Sequence, residues 1–226
     1  MDLGVCTGLN WQRNVFHTDR VCSVYIVGDS MVRGLGSYTY LDIFKKDRVT
    51  GVHDRMYSVA PYTITACFPG FTVERVFKEL PSALSLEQTP IFVLFLGTND
   101  CRNFINLNES FDVYRKVVLR VLSYHRNSKI LCVSLFRAYE QHRRDVFDLG
   151  YLNSRIKKFN CFVNNLAEEF VGSVFYINLY ADFDILSEKR RGDLMLHDKL
   201  HLSVEGYHWA NEKLADVISS LRRNFY

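Results

Sequence analysis

The sequence predicts an α/β protein in which a parallel sheet lies between two layers of helices. Five short apolar runs, rich in Val, Ile, Phe, Leu and Cys, recur along the chain at 21–28, 62–68, 91–97, 129–135 and 173–179. They do not alternate strictly in polarity, which is typical of strands buried on both faces. Helical patterns separate or follow these runs, and strands that alternate with helices indicate βαβ units and a three-layer α/β/α sandwich.

Apolar residues at helical spacing predict the helices. Such stripes lie at 73–80, 111–122, 152–170 and 207–221. Asn106, with Glu109 three residues on, is a start signal for the second of them. Residues 31–44 are interpreted as a further helix despite two glycines in this stretch.

Length and composition indicate one globular domain, with residues 1–20 as an N-terminal extension. The chain has 226 residues and no internal repeat or low-complexity segment. Its formal net charge is only +3, so strong steering toward nucleic acid or a membrane surface is not expected. The short basic runs are interpreted as solvated loops and helix faces.

Cysteine usage and the N-terminus favour a cytoplasmic protein with reduced thiols. The six cysteines form no Cys-x-x-Cys pair and no cluster at zinc spacing, so no metal is expected. The first 20 residues lack an apolar stretch like a signal peptide, and no segment is long enough to span a membrane. A start added at Met1 would hide a lost signal, and that alternative stays open.

The residues after each strand are the place to look for a site, because open parallel sheets bind ligands at the carboxyl ends of their strands. Gly28-Asp29-Ser30 follows the first run and would place a serine near a helix N-terminus. Gly70 follows the second run and can offer its N–H to a ligand, and Asn99 follows the third and can offer its amide. Taken singly, each is more simply explained as a turn or cap residue.

A carboxylate and a histidine stand three apart near the C-terminus, just before the last helix. On a turn, Asp198 can hold the second ring nitrogen of His201. His197, with Asp193 four residues before it, is the second choice, since its place in the loop is less constrained. A chance surface pair is the alternative for either histidine.

With these candidate site residues in this order along the chain, the sequence resembles the SGNH (GDSL-like) hydrolase superfamily over nearly its whole length. Ser30, Gly70, Asn99 and His201 stand at the four positions of the superfamily's motif, with Asp198 as the acid. The sequences of these motifs are most similar to those of the catalytic subunits of intracellular platelet-activating-factor acetylhydrolase and of esterase domains in the first open reading frame of LINE-type retrotransposons. The sequence around Gly70 departs from the Gly-Gly-Asp-Thr motif of the former group.

This resemblance implies a flavodoxin-like sandwich with a five-stranded parallel sheet and a serine esterase without cofactor or metal. Ser30 would be the nucleophile, His201 the base and Asp198 its acid partner. The Ser30 and Gly70 N–H groups and the Asn99 amide would form the oxyanion hole. A small-molecule or lipid ester is the expected substrate.

No long insertion resembles a lid, which favours an exposed cleft and a short acyl group such as acetyl. Loops at 138–151 and 180–197 are expected to line the cleft. Their basic residues could favour an anionic substrate, although solvated loops are the plainer interpretation; these residues are Arg143, Arg144, Lys189, Arg190 and Arg191.

The rival hypothesis is an SGNH-like module that has lost catalysis and binds RNA or protein. Such decay usually removes the serine or the histidine first, and both are present here. Nucleic-acid binding by this domain alone is therefore not expected, while a homo-oligomer and a role within a larger multidomain or mobile-element protein stay open.

Overall fold

The computed structural model describes residues 24–35, 38–40, 63–80, 91–124, 127–140 and 145–223, with only the backbone described at 38–40, 63–66 and 223. The expected N-terminal extension, residues 1–20, lies outside these ranges, as do Arg143 and Arg144.

The described strands form one parallel sheet in the order β2-β3-β1-β4-β5-β6. The strands are β1 (Val24–Gly28), β2 (Tyr38–Tyr40), β3 (Thr63–Cys67), β4 (Ile91–Phe95), β5 (Lys129–Val133) and β6 (Val174–Ile177). All five predicted strands are present. Taken without β2, they follow the flavodoxin-like order, in which the direction of winding reverses between the first and third strands. Here that point lies between β1 and β4.

Within the described part of 31–44 the predicted helix is wrong, and the sheet has a sixth strand that was not predicted; residues 36–37 and 41–44 lie outside the described ranges. Ser30–Val32 forms a single 3₁₀ turn, and Tyr38–Tyr40 pairs in parallel with β3. Gly34 and Gly36 each disfavour a helix by about 1 kcal/mol. The Tyr-Thr-Tyr sequence suits a strand, and the open edge of β3 supplies the backbone partners that a short strand needs.

Seven α-helices surround the sheet within the described ranges. They are α1 (Val73–Glu79), α2 (Thr98–Arg102), α3 (Leu107–Tyr124), α4 (Leu149–Glu169), α5 (Leu179–Asp184), α6 (Glu188–Leu194) and α7 (Val204–Arg223). The four predicted stripes correspond to α1, α3, α4 and α7. The Asn106 side chain accepts from the Asn108 N–H and its amide donates to Glu109, which confirms the predicted start of α3.

Three short helices were not predicted. Each of α2, α5 and α6 spans at most seven residues, and none of them has apolar residues at i, i+3 and i+4 as Val73, Val76 and Phe77 do in α1. As a result, the segment 180–197 is largely helical rather than the loop that the sequence suggested. Side-chain caps set the starts of α5 and α6: Asn178 accepts from the Ala181 N–H, and Ser187 from the Arg190 N–H.

The centre of the sheet is the core of the protein. Every residue of β1 and β4 is buried, which confirms that these strands are covered on both faces. Burial of each large aliphatic side chain contributes about 1.5–3 kcal/mol. The two strands that carry the Ser30 and Asn99 loops are therefore the most firmly held elements of the fold.

Gly97 joins β4 to α2 in a conformation that requires glycine. Its φ is +114°, in the range that side chains other than glycine rarely adopt. A Cβ at this position would lie 2.2 Å from the Phe159 ring of α4. The close approach of this turn to α4 fixes the start of α2, on which Asn99 lies.

Gly97→Ala should destabilise the protein by about 3 kcal/mol or more, because left-handed strain adds to a clash with a buried ring. Urea unfolding of the variant measures the loss. The matched control is Gly192→Ala in α6, where an added Cβ meets nothing within 4 Å and should leave stability unchanged or raise it by up to about 1 kcal/mol. Equal stability of the two variants would contradict the packing described for Gly97.

Candidate active site

Ser30 is the first residue of the 3₁₀ turn that follows β1. Asp29 caps this turn by accepting from the Met31 N–H at 3.0 Å. The serine is buried, with 9% of its surface exposed. The turn therefore presents the Ser30 hydroxyl at the carboxyl edge of the sheet, next to the point where the winding reverses.

His201 and Asp198 reach Ser30 from the other end of the chain. The distance from His201 Nε2 to Ser30 Oγ is 2.8 Å, and that from His201 Nδ1 to Asp198 Oδ2 is 2.6 Å. In the tautomer that fits both contacts, Nδ1–H donates to the carboxylate and Nε2 accepts from the hydroxyl. The three side chains thus form a continuous chain of hydrogen bonds.

The Asp198 carboxylate is held as an anion. Burial alone would raise its pKa, but hydrogen bonds from the His201 ring and from the His201 and Leu200 N–H groups outweigh burial, so the pKa lies below its ordinary range. Both N–H groups donate to Oδ1 at 3.0 Å. Because Oδ2 is left to the imidazole, the carboxylate orients the ring.

A tight turn positions Asp198 and His201 together. Met195 and Leu202 form an antiparallel bridge, and the Leu196 N–H donates to the His201 carbonyl at 2.8 Å. Lys199, at the tip of the turn, has a φ of +55°. This left-handed residue reverses the chain so that the two following N–H groups point back to Asp198.

His197, the second choice from the sequence, is exposed. The contact with the Ser30 hydroxyl is made by His201, so the structure favours the first choice.

Gly70 and Asn99 follow the strands on either side of β1. The register aligns Gly28 with both Cys67 and Phe95, so the three strands end at the same edge. Gly70 is exposed with a φ of +76°. Within the described part of the chain, the N–H groups of Ser30 and Gly70 donate to no other residue, which leaves both free to meet a ligand.

The Asn99 amide is oriented by a backbone carbonyl. Its Nδ2 donates to the Phe71 carbonyl at 2.9 Å. An amide nitrogen carries two hydrogens, so the second N–H stays available. The same hydrogen bond joins the Gly70 loop to the Asn99 loop.

Asp29 joins the serine turn to the Asn99 loop, a role that the sequence analysis missed. Its carboxylate is fully buried and accepts from the Met31 N–H and, at 3.2 Å, from the Thr98 N–H. Burial raises its pKa to about 6 although these hydrogen bonds lower it. Its place inside the Gly-Asp-Ser motif was the available signal.

Asp100 and Arg155 hold the other side of the Asn99 loop and were also missed. The buried Asp100 accepts from the Val73 N–H at 3.0 Å and from the Ser110 hydroxyl at 2.6 Å. Burial raises its pKa. The Arg155 guanidinium donates to four carbonyls around α2, those of Asp100, Cys101, Asn103 and Ile105. An arginine inside the otherwise apolar stripe of α4 was the signal.

A cavity of about 610 Å³ lies beside the site, between the segment after β5, helix α6 and the turn at Lys199. Parts of both segments that were expected to line a cleft do so. Among the described residues, no three His, Cys, Asp or Glu side chains converge as metal ligands. No helix within the same ranges is long and apolar enough to cross a membrane.

The fold and the site together are those of an α/β protein of the hydrolase type, in which hydrogen bonds join a serine, a histidine and a carboxylate. The chain belongs to the GDSL-like lipase/acylhydrolase family, whose sequence profile matches residues 26–209. Members of this family are typically ester hydrolases. No curated protein matches the chain in sequence.

Solved structures share the fold. A protein proposed to be a platelet activating factor from Streptococcus pneumonia is 18% identical, with a TM-score of 0.69 over 93% of this chain and 90% of that one. The lipase/acylhydrolase of Enterococcus faecalis is also 18% identical, with a TM-score of 0.62 over 88% and 96%. The esterase domain of the zebrafish ZfL2-1 retrotransposon ORF1 protein is 21% identical over 88% and 99%, but its TM-score of 0.40 supports no argument.

The Asp29 carboxyl should make the stability of the protein fall as pH rises from about 4 to about 6. Its pKa of about 6 in the fold exceeds the ordinary value of 3.8 for an aspartate side chain, so between these values the native state holds a proton that the unfolded chain releases. The free energy of unfolding of the protein with Asp29, measured against that of the Asp29→Asn variant, should fall by about 2–3 kcal/mol across this pH range. Urea unfolding of both proteins between pH 4 and pH 7 measures the difference, and a constant difference would show that Asp29 is not buried as described.

Proposed function

We propose that this protein is a serine esterase that hydrolyses carboxylic esters with a short acyl group such as acetyl. The observation that carries the proposal is the hydrogen-bonded chain from Ser30 Oγ through His201 to Asp198, with distances of 2.8 and 2.6 Å. Membership in a family of acylhydrolases supports the same reaction class.

In the first step, Ser30 Oγ attacks the ester carbonyl while His201 Nε2 takes the hydroxyl proton. The imidazolium formed is stabilised by the Asp198 carboxylate, whose low pKa keeps it ionised at neutral pH. His201 then returns the proton to the leaving alcohol, and an acyl-serine remains.

The oxyanion that forms on the carbonyl would be met by three donors. The Ser30 and Gly70 N–H groups have no acceptor within the described chain, and the Asn99 amide has a second N–H beyond the one bound to Phe71. Such donors act strongly because they are oriented before the reaction. The buried contacts of Asp29, Asp100 and Arg155 supply this orientation.

Water then attacks the acyl-serine, with His201 as the base a second time. No step needs a metal or a cofactor. The preference for a short acyl group rests on the absence from the sequence of an insertion resembling a lid.

Ser30→Ala should reduce the hydrolysis of 4-nitrophenyl acetate to background, because no other group supplies the nucleophile. The assay compares acetyl, butyryl and octanoyl esters at equal protein concentration, and acetate should be cleaved fastest. The matched control is Ser154→Ala, which removes an exposed hydroxyl of α4 and should leave activity unchanged. Ester hydrolysis that persists in Ser30→Ala would overturn the assignment. Activity absent from the native protein on every ester would favour the binding-module hypothesis.

Asn99→Ala should lower kcat by about 100- to 1,000-fold, which corresponds to about 3–4 kcal/mol, with a smaller effect on KM. The loss falls on kcat because the amide meets charge that develops only in the transition state. Asn108→Ala, an exposed asparagine of α3, is the control. A kcat within threefold of the native value would remove Asn99 from the oxyanion hole.

A further inference from the structure

The large cavity beside the site has the size of a small-molecule pocket and an apolar wall. Its volume is about 610 Å³, within the range of roughly 300–1,000 Å³ that such pockets occupy. Tyr139, Phe183 and Met195 contribute the apolar surface. An acetyl group fills only a small part of this volume, so the cavity has room for the rest of an ester.

Shared residues connect this cavity to the reacting groups. Ser30 and His201 do not line it themselves, among the residues described. A smaller cavity of about 20 Å³ shares Arg137, Met195 and Lys199 with it. The smaller cavity also touches Met31 and Leu200, the chain neighbours of Ser30 and His201. The large cavity therefore adjoins the reaction centre across the Lys199 turn.

Positive charge predominates in the described lining. Four basic side chains line the cavity against two acidic ones, Glu140 and Glu188. The basic residues are Arg137, Lys189, Arg191 and Lys199.

The two arginines are held by the fold. Arg191 donates to the carbonyls of Asp184 and Leu186 and lies 4.2 Å over the Tyr139 ring. Arg137 pairs with the Asp184 carboxylate at 3.3 Å. The same carboxylate accepts from the Tyr139 hydroxyl. These contacts hold both guanidinium groups in the cavity wall near one carboxylate, that of Asp184, so part of the arginine charge remains uncompensated.

The two lysines are available to a ligand. Lys189 is exposed and makes no ion pair with another described residue. Lys199 pairs with Glu140 at 3.5 Å, but 41% of the lysine side chain and 61% of the glutamate side chain are exposed, so solvent weakens this ion pair. Because Lys199 follows Asp198 directly, its ammonium group is tied to the turn that positions His201.

We propose that the substrate is an ester that carries an anionic group, a carboxylate or a phosphate, seated in this cavity. Lys199 and Lys189 bind the anion, while Tyr139, Phe183 and Met195 contact the apolar part of the molecule. The inference rests on the proposed esterase function and names the substrate class of the same site. Ammonium groups that line a partly enclosed cavity attract an anion more strongly than the same groups on an open surface.

The test compares two pairs of esters that differ in charge. For an anion on the alcohol side, the pair is 4-acetoxybenzoate and its methyl ester. For an anion on the acyl side, it is 4-nitrophenyl hemiglutarate and 4-nitrophenyl pentanoate. The measured quantity is the ratio of kcat/KM for the charged ester to that for the neutral one. Because the two esters of a pair differ in intrinsic reactivity, the decisive result is the change of this ratio between native protein and variant.

Lys199→Gln should lower the ratio by about 3- to 10-fold for one of the two pairs, mainly through KM, and Lys199→Arg should restore most of it. Lys189→Gln should lower the ratio in the same direction. Raising the salt concentration to 1 M should reduce the native preference, because exposed charges are screened. The control is Arg190→Gln, an exposed arginine between two lining residues that does not itself line the cavity; its ratio should equal the native one.

Two outcomes separate this inference from the function on which it rests. Hydrolysis that depends on Ser30, with ratios unaffected by Lys199→Gln in both pairs, would overturn the anionic substrate and leave the esterase intact. No hydrolysis of any of the four esters above the Ser30→Ala background would overturn the esterase, and the substrate class with it. Isothermal titration of Ser30→Ala with 4-acetoxybenzoate adds a readout without turnover, and binding that Lys199→Gln does not weaken would also count against the inference.

Discussion

The buried carboxylate of Asp29 ties together the two strand ends on which the site depends. One oxygen accepts from the Met31 N–H of the serine turn and the other from the Thr98 N–H of the Asn99 loop. Because the group is fully buried, no water competes for these hydrogen bonds. The same burial opposes ionisation and raises the pKa of Asp29 to about 6. Burying this carboxylate therefore costs free energy. The apolar burial of β1 and β4 offsets that cost and maintains the geometry of the site.

The site that Asp29 supports is assembled from residues far apart along the chain. Parallel register brings Ser30, Gly70 and Asn99 to one edge of the sheet, and hydrogen bonds between loops fix their mutual orientation. His201 comes from 171 residues farther along, held by a turn that is itself anchored at the start of α7. The Ser203 hydroxyl accepts from the Gly206 N–H there. Precision at the reacting atoms therefore comes from backbone hydrogen bonds rather than from side-chain packing alone.

Much of this arrangement could be predicted from the sequence, and the failures have physical reasons. The five predicted strands and the helices α1, α3, α4 and α7 carry apolar patterns that can be recognised in the sequence, and the parallel order places the motif residues at one edge. Tyr38–Tyr40 was missed because its stability comes from pairing with β3 and not from a pattern of its own. Arg155 interrupts the apolar stripe of α4, but its role was missed because its partners are four carbonyls, which the sequence does not identify. The basic residues of the segments 138–151 and 180–197 only suggested a basic cavity. Its walls depend on how α6 packs, which the sequence does not show.

In the proposed mechanism, His201 activates Ser30 as a nucleophile. Labelling with an organophosphonate, followed by mass spectrometry of the peptides, measures this activation, because only an activated serine reacts quickly with such a reagent. We expect one adduct, on Ser30, and a labelling rate at least about 100-fold lower in His201→Gln, which loses the base. An adduct on another residue, or a labelling rate that His201→Gln leaves unchanged, would contradict this mechanism.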